Sequence, residues 1–519
     1  MFGKANKEPK RQAVGEDLAQ VLPDDGLPWY KKRHLLVLNY FAVSMALLSA
    51  ANGFDGSMMN GLQALPQWHT FMNNPTGAWL GFINVAQTIS SVLSYPVIAW
   101  FANRYGRKPG LFIGYFFLVL GVFLQAFSPN PAAFILGRFF LGQPSSWWGG
   151  NAPLLITELA FPTHRAFLTA LCQCGWYVGS LVAAWATYGT RNYDGSWAWR
   201  IPSILQIAIP CVVLPAACLI PESPRFLVSV GRVSEARKSL TRLHAGGDES
   251  SALVEFEMVE MERAIQADSD HQASTSWMDL IRTPGNRRRA FITVTIGIYA
   301  QWNGVGVVSY YLALVLQTVG ITSVTDQTLI SGCLQIWNLI FAVGAAAMVD
   351  RLGRRFLWLA SSIGMLASFI LISGLSGSFA TTHTASVGIA VVPFLFIYYA
   401  FYDIAFTPLT IAYPAEIWPY HLRSRGLALC GISTYIAVSF NIFVNPIALE
   451  AIGWKYYVVF AVILVFVVLT IYFFYPETKG HTLEEMAVVF DGEDAPVTGR
   501  QELKIVGDRV TDSQHAEKV

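Results

Sequence analysis

Apolar residues run along this 519-residue chain in long blocks separated by polar stretches. The blocks fall near 35–58, 78–101, 109–127, 132–156, 167–188 and 200–220. After a long polar gap they resume at 290–316, 327–349, 356–375, 386–414, 425–449 and 454–475. Crossing ~30 Å of hydrocarbon takes about 20 residues of helix, so the segmentation predicts twelve spanning helices and an all-α polytopic membrane protein. Residues 1–34 are polar with no apolar run. No cleaved signal peptide is expected there, and the first span serves as the insertion signal.

Composition agrees with that pattern: 54% of residues are hydrophobic and 13% charged, against roughly 25% charged in an ordinary soluble protein. The formal net charge of +1 gives no reason to expect nucleic acid. The six cysteines, Cys172, Cys174, Cys211, Cys218, Cys333 and Cys430, sit in apolar segments and read as small core residues. No metal-ligand cluster, nucleophile–base pair or nucleotide loop stands out, so neither an enzyme nor a cofactor is expected.

Orientation follows from the basic residues. If both termini are cytoplasmic, 31 of the 35 lysines and arginines lie on the inner side. Arg191, Arg200 and Lys455 lie outside, and Arg138 lies within a span. The chain also repeats itself. NRYGRK at 103–108 returns as DRLGRR at 350–355, 247 positions on. Glu158 with Arg165 returns as Glu416 with Arg423, offset 258. Pro221-Glu222 returns as Pro476-Glu477, offset 255. Three repeats in one order imply two parallel six-helix halves, the plan of the major facilitator fold, with a solute site near the midplane between them. The expected organisation is a cytoplasmic tail (1–34), an N-terminal bundle (35–220), a cytoplasmic helical loop (221–289), a C-terminal bundle (290–475) and a second cytoplasmic tail (476–519). Within the loop, 251–267 has amphipathic spacing, which suits a solvated linker helix or a part in closing the inner end equally well.

Several motifs make the chain resemble the sugar porter family of the major facilitator superfamily. They are the two basic loops, Gly137-Arg138-Phe139, Pro153 with Glu158, PESPR at 221–225 and PETKG at 476–480. DGSMMN at 55–60, QWNG at 301–304 with VSYY at 308–311, and YDIAFTP at 402–408 resemble the fungal lactose and cellodextrin permease branch. NPIAL at 445–449 with GWKYY at 453–457 adds to that likeness. Two departures from the wider family stand out. Ala300 and Gly306 replace a glutamine and an asparagine of the seventh span, and Ile411 stands where glucose carriers usually place tryptophan. A sugar larger than glucose, or differently shaped, is expected on that ground.

An ionised side chain at mid-helix costs ~2.5–3.5 kcal/mol even on the lenient insertion scale, so Asp55 in the first span and Arg138 in the fourth each need a reason. Pairing would offset the cost, and the resemblance implies that such a pair couples transport to a proton. A static bridge between the two spans is the competing reading. Asp403 in the tenth span is the other deep carboxylate. It is read either as a sugar ligand or gate element, or as a buried acid paired with Tyr399 or Tyr402.

Amides both accept and donate, and aromatic rings stack on sugar C–H faces. The family pattern implies sugar-binding amides at Gln173, Gln301 and Asn338. Polarity within a span adds Asn303 and Asn441, and Trp302 and Tyr310 are candidate stacking surfaces, with core packing the alternative for each. Gly304 and Gly306 are expected to loosen the seventh span. At the inner ends Arg104, Arg107, Arg351, Arg354, Glu158, Arg165, Glu222, Glu416 and Arg423 form a gate cluster. The resemblance implies that Glu158 and Glu416 join the halves in one state and part in the other.

The reading is therefore a secondary active transporter that imports a sugar by proton symport and alternating access. The sugar is a disaccharide such as lactose or cellobiose, or a hexose. It acts as a monomer in the lipid bilayer, in the plasma membrane by family habit. A passive facilitator, a metabolite exporter of the same fold and a non-transporting sensor are the alternatives. The exporter's Gly-Pro pattern is missing from 174–180, and the sensor's long tail is missing after span twelve.

Overall fold

A computed structural model describes residues 21–22, 28–274, 276–479, 489–491, 505–506 and 509–510. Within those, the side chains of 166–167, 170, 173, 264, 267–274, 346–351, 420–421, 505–506 and 509–510 lie outside the description.

Helix starts follow local chemistry. Asn130, Ser223, Thr283 and Ser323 each accept a hydrogen bond from the backbone N–H three residues on. Proline follows the cap at 131, 224 and 284, where its missing N–H costs nothing. The spans that result are the first (33–62), second (Gly77–Tyr105), third (Arg107–Ala126), fourth (Pro131–Leu159), fifth (Arg165–Thr190) and sixth (197–219). The other half supplies the seventh (284–318), eighth (Val324–Leu352), ninth (Arg354–Thr382), tenth (Val391–Ile417), eleventh (Tyr420–Ile452) and twelfth (Lys455–Phe474). Ten of these stretches are long and apolar enough to cross a bilayer among the described residues. The fourth and fifth complete the twelve; the fourth carries Arg138, Gln143, Ser145, Ser146 and Asn151 along its length. The chain is a multi-pass membrane protein of the major facilitator fold.

The halves are built alike. Spans three and four pack together as nine and ten do, one and five as seven and eleven do, and two and four as eight and ten do. Small residues permit the closest of these approaches. A methyl group on Gly53 would lie 1.8 Å from the Trp176 carbonyl oxygen, and one on Gly179 1.8 Å from that of Ala50. Spans two and eleven, and five and eight, form the joint between halves.

Spans one and seven are each broken. The first changes helix at Leu48–Ser49, where Ser49 Oγ donates to the Cys172 carbonyl at 2.6 Å. The seventh breaks at Gly304, whose φ of 103° is left-handed and whose added Cβ would meet the Phe369 ring at 2.4 Å. Beyond the bundles, helices Pro224–Ser229, Val233–His244 and Ala252–Ser274 pack around Leu227, Leu240, Val254 and Met258. His244 ties that group to the bundle: its Nδ1 meets Glu257 Oε2 at 2.7 Å and its Nε2 the Leu159 carbonyl at 2.9 Å.

Of the cysteines, Cys172, Cys174 and Cys430 are buried as expected. Cys211, Cys218 and Cys333 are exposed on the outside of the bundle instead, because their spans turn that face outward. In a bilayer the outward face is as apolar as the core, so hydropathy does not separate the two positions.

Candidate functional site

Asp55 and Arg138 meet in the N-terminal half. Both are almost fully buried, and Arg138 Nη1 donates to Asp55 Oδ1 at 3.2 Å. The rest of the guanidinium is engaged too: Nε donates to the Ile83 carbonyl at 3.0 Å and Nη2 to Gln87 Oε1 at 3.2 Å. Asp55 Oδ2 is buried without a protein partner. Beside the pair lies a cavity of about 10 Å³ lined by Asp55, Gln87, Ser145 and Gln206 among others, roughly the space one water needs. A carboxylate and guanidinium placed so form a buried ion pair between the first and fourth spans, with room for one water beside the acid. Gln87 was not among the sequence candidates, although a glutamine at mid-span carries the same signal as those that were.

The amides predicted to bind a sugar divide into two groups. Asn338 is fully buried and neither its Oδ1 nor its Nδ2 has a protein partner. A buried amide with nothing to bond costs free energy unless a ligand or water completes it. Gln301 is half-buried, and its backbone carbonyl accepts from Asn441 Nδ2 at 2.5 Å. The Gln173 side chain lies outside the described residues.

Asn303 and Asn441 bond the broken seventh span, and Asn303 Nδ2 is buried without a protein partner. Asn303 Oδ1 accepts from the Val305 N–H at 3.0 Å and from the Tyr398 hydroxyl at 3.2 Å, capping the second half of the broken seventh span. Asn441 bonds the end of the first half at Gln301. Part of the polarity that singled these two out thus serves the helix break. A Cβ on Gly306 would lie 2.4 Å from Asn441 Nδ2. The room an asparagine at 306 would need is thus taken by an amide from the eleventh span.

The aromatic candidates are placed likewise. Trp302 donates from Nε1 to the Ala437 carbonyl at 3.1 Å and leans on Phe440, so it packs against the eleventh span. Tyr310 is half-buried at the joint, with a Cβ on Gly56 placed 3.4 Å from its ring. Its backbone carbonyl accepts from Gln63 at 3.0 Å. Asp403 bonds neither Tyr399 nor Tyr402. Its partner is Tyr177 of the fifth span, in the other half, because spans five and ten face each other across the joint. Nothing local in the sequence marks Tyr177, since the pairing spans 226 positions.

At the ends of the bundle nearest the termini, the two halves carry the same device. Glu222 accepts from the backbone N–H groups of Arg107 at 3.0 Å and Lys108 at 3.1 Å; Glu477 accepts from those of Arg354 at 2.8 Å and Arg355 at 3.0 Å. Each carboxylate thereby caps the start of a span just after a glycine of positive φ, Gly106 or Gly353. Arg107 pairs with Glu158 at 3.2 Å, and Arg354 with Glu416 at 3.0 Å. Both pairs lie within one half rather than between halves, because spans three and four, and nine and ten, are packed neighbours. Arg104 is exposed beside its neighbour Tyr105, and Arg165 is exposed at the start of the fifth span. Arg423 occupies the first turn of the eleventh span, and the Arg351 side chain lies outside the described residues.

At the opposite end, too, bonds cross between the halves. Asn60 Oδ1 accepts from the Ala313 N–H at 3.4 Å, and Gln63 Nε2 reaches the Tyr310 carbonyl. Arg191 Nε donates to Thr325 Oγ1 at 3.1 Å.

Comparison with known proteins agrees with this architecture. The model of the "Sugar (and other) transporter" family matches residues 41–490. The high-affinity glucose transporter of Kluyveromyces lactis is 27% identical over 482 residues, covering 88% of this chain and 86% of that one. The galactose transporter of Saccharomyces cerevisiae is 26% identical over 432 residues, 82% of this chain and 74% of that one. Among solved structures, the inward-open xylose transporter XylE of E. coli superposes with a TM-score of 0.72 at 22% identity, covering 87% of this chain and 100% of that one. The same carrier, described as a proton:xylose symporter and bound to 6-bromo-6-deoxy-D-glucose, gives 0.71 at 21%, covering 87% and 99%. These structural likenesses concern the fold.

Proposed function

The chain belongs to the sugar porter family of the major facilitator superfamily, and from that premise we propose that it imports a sugar by proton-coupled alternating access. The observation that carries the coupling is the buried Asp55–Arg138 pair beside a water-sized cavity. Protonating Asp55 would remove the charge that holds Arg138, and the arginine's remaining acceptors, Ile83 and Gln87, both lie on the second span of the interface with the eleventh. A proton bound there thus bears on the joint between halves, a two-state element of the kind that alternating access needs.

The sugar site is centred on Asn338 with Gln301 and Gln173, on the evidence of Asn338's two unpartnered atoms. The relatives named above carry glucose and galactose. The altered seventh span, with Asn441 filling the space at Gly306, and the exposed Ile411 favour a pocket of different shape, so disaccharides such as lactose and cellobiose belong among the candidates. Both termini are assigned to the cytoplasm from the arginine and lysine distribution, and the membrane to the plasma membrane. The carrier acts as a monomer.

The test is uptake of labelled glucose, galactose, xylose, lactose and cellobiose in a transport-deficient host, with and without a proton uncoupler. Accumulation of one of these above the external concentration, collapsed by the uncoupler, supports the proposal. Equilibration unaffected by the uncoupler would establish passive facilitation instead.

A further inference from the structure

Among the described residues, two carboxylates lie buried within the bundle, and their surroundings differ. Asp55 faces a guanidinium. Asp403, fully buried on the tenth span, is bonded by two neutral hydroxyls: that of Tyr177, and Thr407 Oγ1 at 2.9 Å one turn along its own helix. Tyr177 also reaches Thr407 Oγ1 at 3.2 Å, closing a three-membered cluster. The second oxygen of Asp403 is buried without a protein partner.

The titratable groups that face Asp403 are Cys174 and Tyr177 on the fifth span and Tyr398, Tyr399 and Tyr402 on its own. Tyr310 of the seventh span stands beyond Tyr402. All are hydroxyls or thiols, uncharged in their ordinary range. Around Tyr177 the eighth span contributes Leu339 and Ala342, both apolar. The ninth span brings Ser361, which bonds the Phe401 carbonyl, and the eleventh brings the Cys430 thiol to the Thr410 carbonyl.

The cluster crosses the joint. Tyr177 belongs to the N-terminal half and Asp403 to the C-terminal half, so any rocking of one half on the other at this level must stretch their bond. A hydroxyl donating to a carboxylate makes a bond roughly twice as strong as one donating to a neutral acid. The strength of this particular contact is therefore set by one proton, and the unpartnered oxygen is the place for it.

We propose that Asp403 is a second proton-binding carboxyl of the carrier and that its bond to Tyr177 is a latch between the halves which protonation loosens. Ionised, Asp403 holds the fifth span to the tenth. A proton from water, placed on the free oxygen, leaves Tyr177 donating to a neutral acid, and the halves part more readily. The latch rests on the transport reading only in requiring that the halves move. It does not require that Asp55 be the coupling site or that any particular sugar be carried.

Two measurements on the full chain in liposomes, neither using a sugar, test it. Infrared difference spectra between acid and alkaline pH should show a neutral-carboxyl band that is lost in Asp403→Asn and kept in Asp55→Asn. Spin labels on Leu154 of the fourth span and Ser424 of the eleventh, both exposed, report the separation of the halves by pulsed electron resonance in a chain freed of its native cysteines. Acid should shift the ratio of the two separations by roughly five- to tenfold. That response should shrink in Asp403→Asn and in Tyr177→Phe, and the part lost to those two changes should remain in Asp55→Asn. A difference spectrum from which Asp403→Asn removes no carboxyl component, or a pH response unchanged by Asp403→Asn and Tyr177→Phe, overturns the latch. A wrong sugar assignment would leave both readouts intact.

Discussion

Replacing Asp55 by asparagine removes a charge and little else. The side chain keeps its size and one acceptor oxygen, and Arg138 keeps its bonds to Ile83 and Gln87. At the observed 3.2 Å, and with an effective dielectric near 20, the lost attraction is about 5 kcal/mol before desolvation is counted. Breaking a buried pair costs about 3–5 kcal/mol. The two retained acceptors place this case near the lower end, about 3 kcal/mol of stability. The functional consequence is larger. A proton crossing about 100 mV supplies ~2.3 kcal/mol and one pH unit adds ~1.4 kcal/mol. Together they support roughly 500-fold accumulation in the unaltered chain. In proteoliposomes with an imposed potential and pH gradient, Asp55→Asn should accumulate labelled sugar no further than equality, while exchange of labelled for unlabelled sugar continues. An Asp55→Asn carrier that still concentrates its sugar to the unaltered ratio refutes the coupling argument.

Other consequences are as direct. Asn338→Ala should raise the half-saturation concentration for uptake about tenfold while leaving the melting temperature within a degree or so; an unchanged affinity would remove Asn338 from the pocket. Gly304→Ala forces a side chain into left-handed backbone and onto the Phe369 ring, and should lower stability by about 1–3 kcal/mol in thermal unfolding. Burial pushes the Glu477 carboxyl up, but the N–H groups of Lys479, Arg354, Arg355 and Thr478 outweigh it and hold it below its ordinary value. Its contribution to stability is therefore complete above the ordinary carboxylate range and lost as pH falls through the lowered value. Melting curves taken toward acid should accordingly fall less steeply in Glu477→Gln than in the unaltered chain. His244→Ala removes the bonds from the Val233–His244 helix to Glu257 and Leu159, and should speed tryptic cleavage within 224–263; equal rates would show that these helices are held by their apolar contacts alone.

The paired capping glutamates show how much of a site was legible beforehand. Glu222 and Glu477 were visible as a repeat at constant offset, and the repeat itself implied that both do the same work. Which atoms they hold was not visible, because the partners are backbone N–H groups more than a hundred positions away. Asn303 and Asn441 show where composition stops short. A polar side chain in a span has to be satisfied, but composition does not say whether a ligand or a broken helix satisfies it. Here the break at Gly304 engages Asn303 Oδ1 and Asn441 Nδ2 and leaves Asn303 Nδ2 without a protein partner.

Hydrophobic run length marked the spans, ten of which meet the thickness of the bilayer by length and apolarity among the described residues. The duplicated motifs determined the two-fold plan, and the rarity of charge in the spans exposed Asp55, Arg138 and Asp403. All of these are properties of a segment or of a repeat, readable without knowing any neighbour. Tertiary packing alone decided that Asp403 reaches Tyr177 across the joint, that the Arg107–Glu158 and Arg354–Glu416 pairs stay within their halves, and that Asn338 is left without a protein partner. Each depends on which helix faces meet. In hydrocarbon the faces toward lipid and toward protein are both apolar, so hydropathy carries no record of that choice.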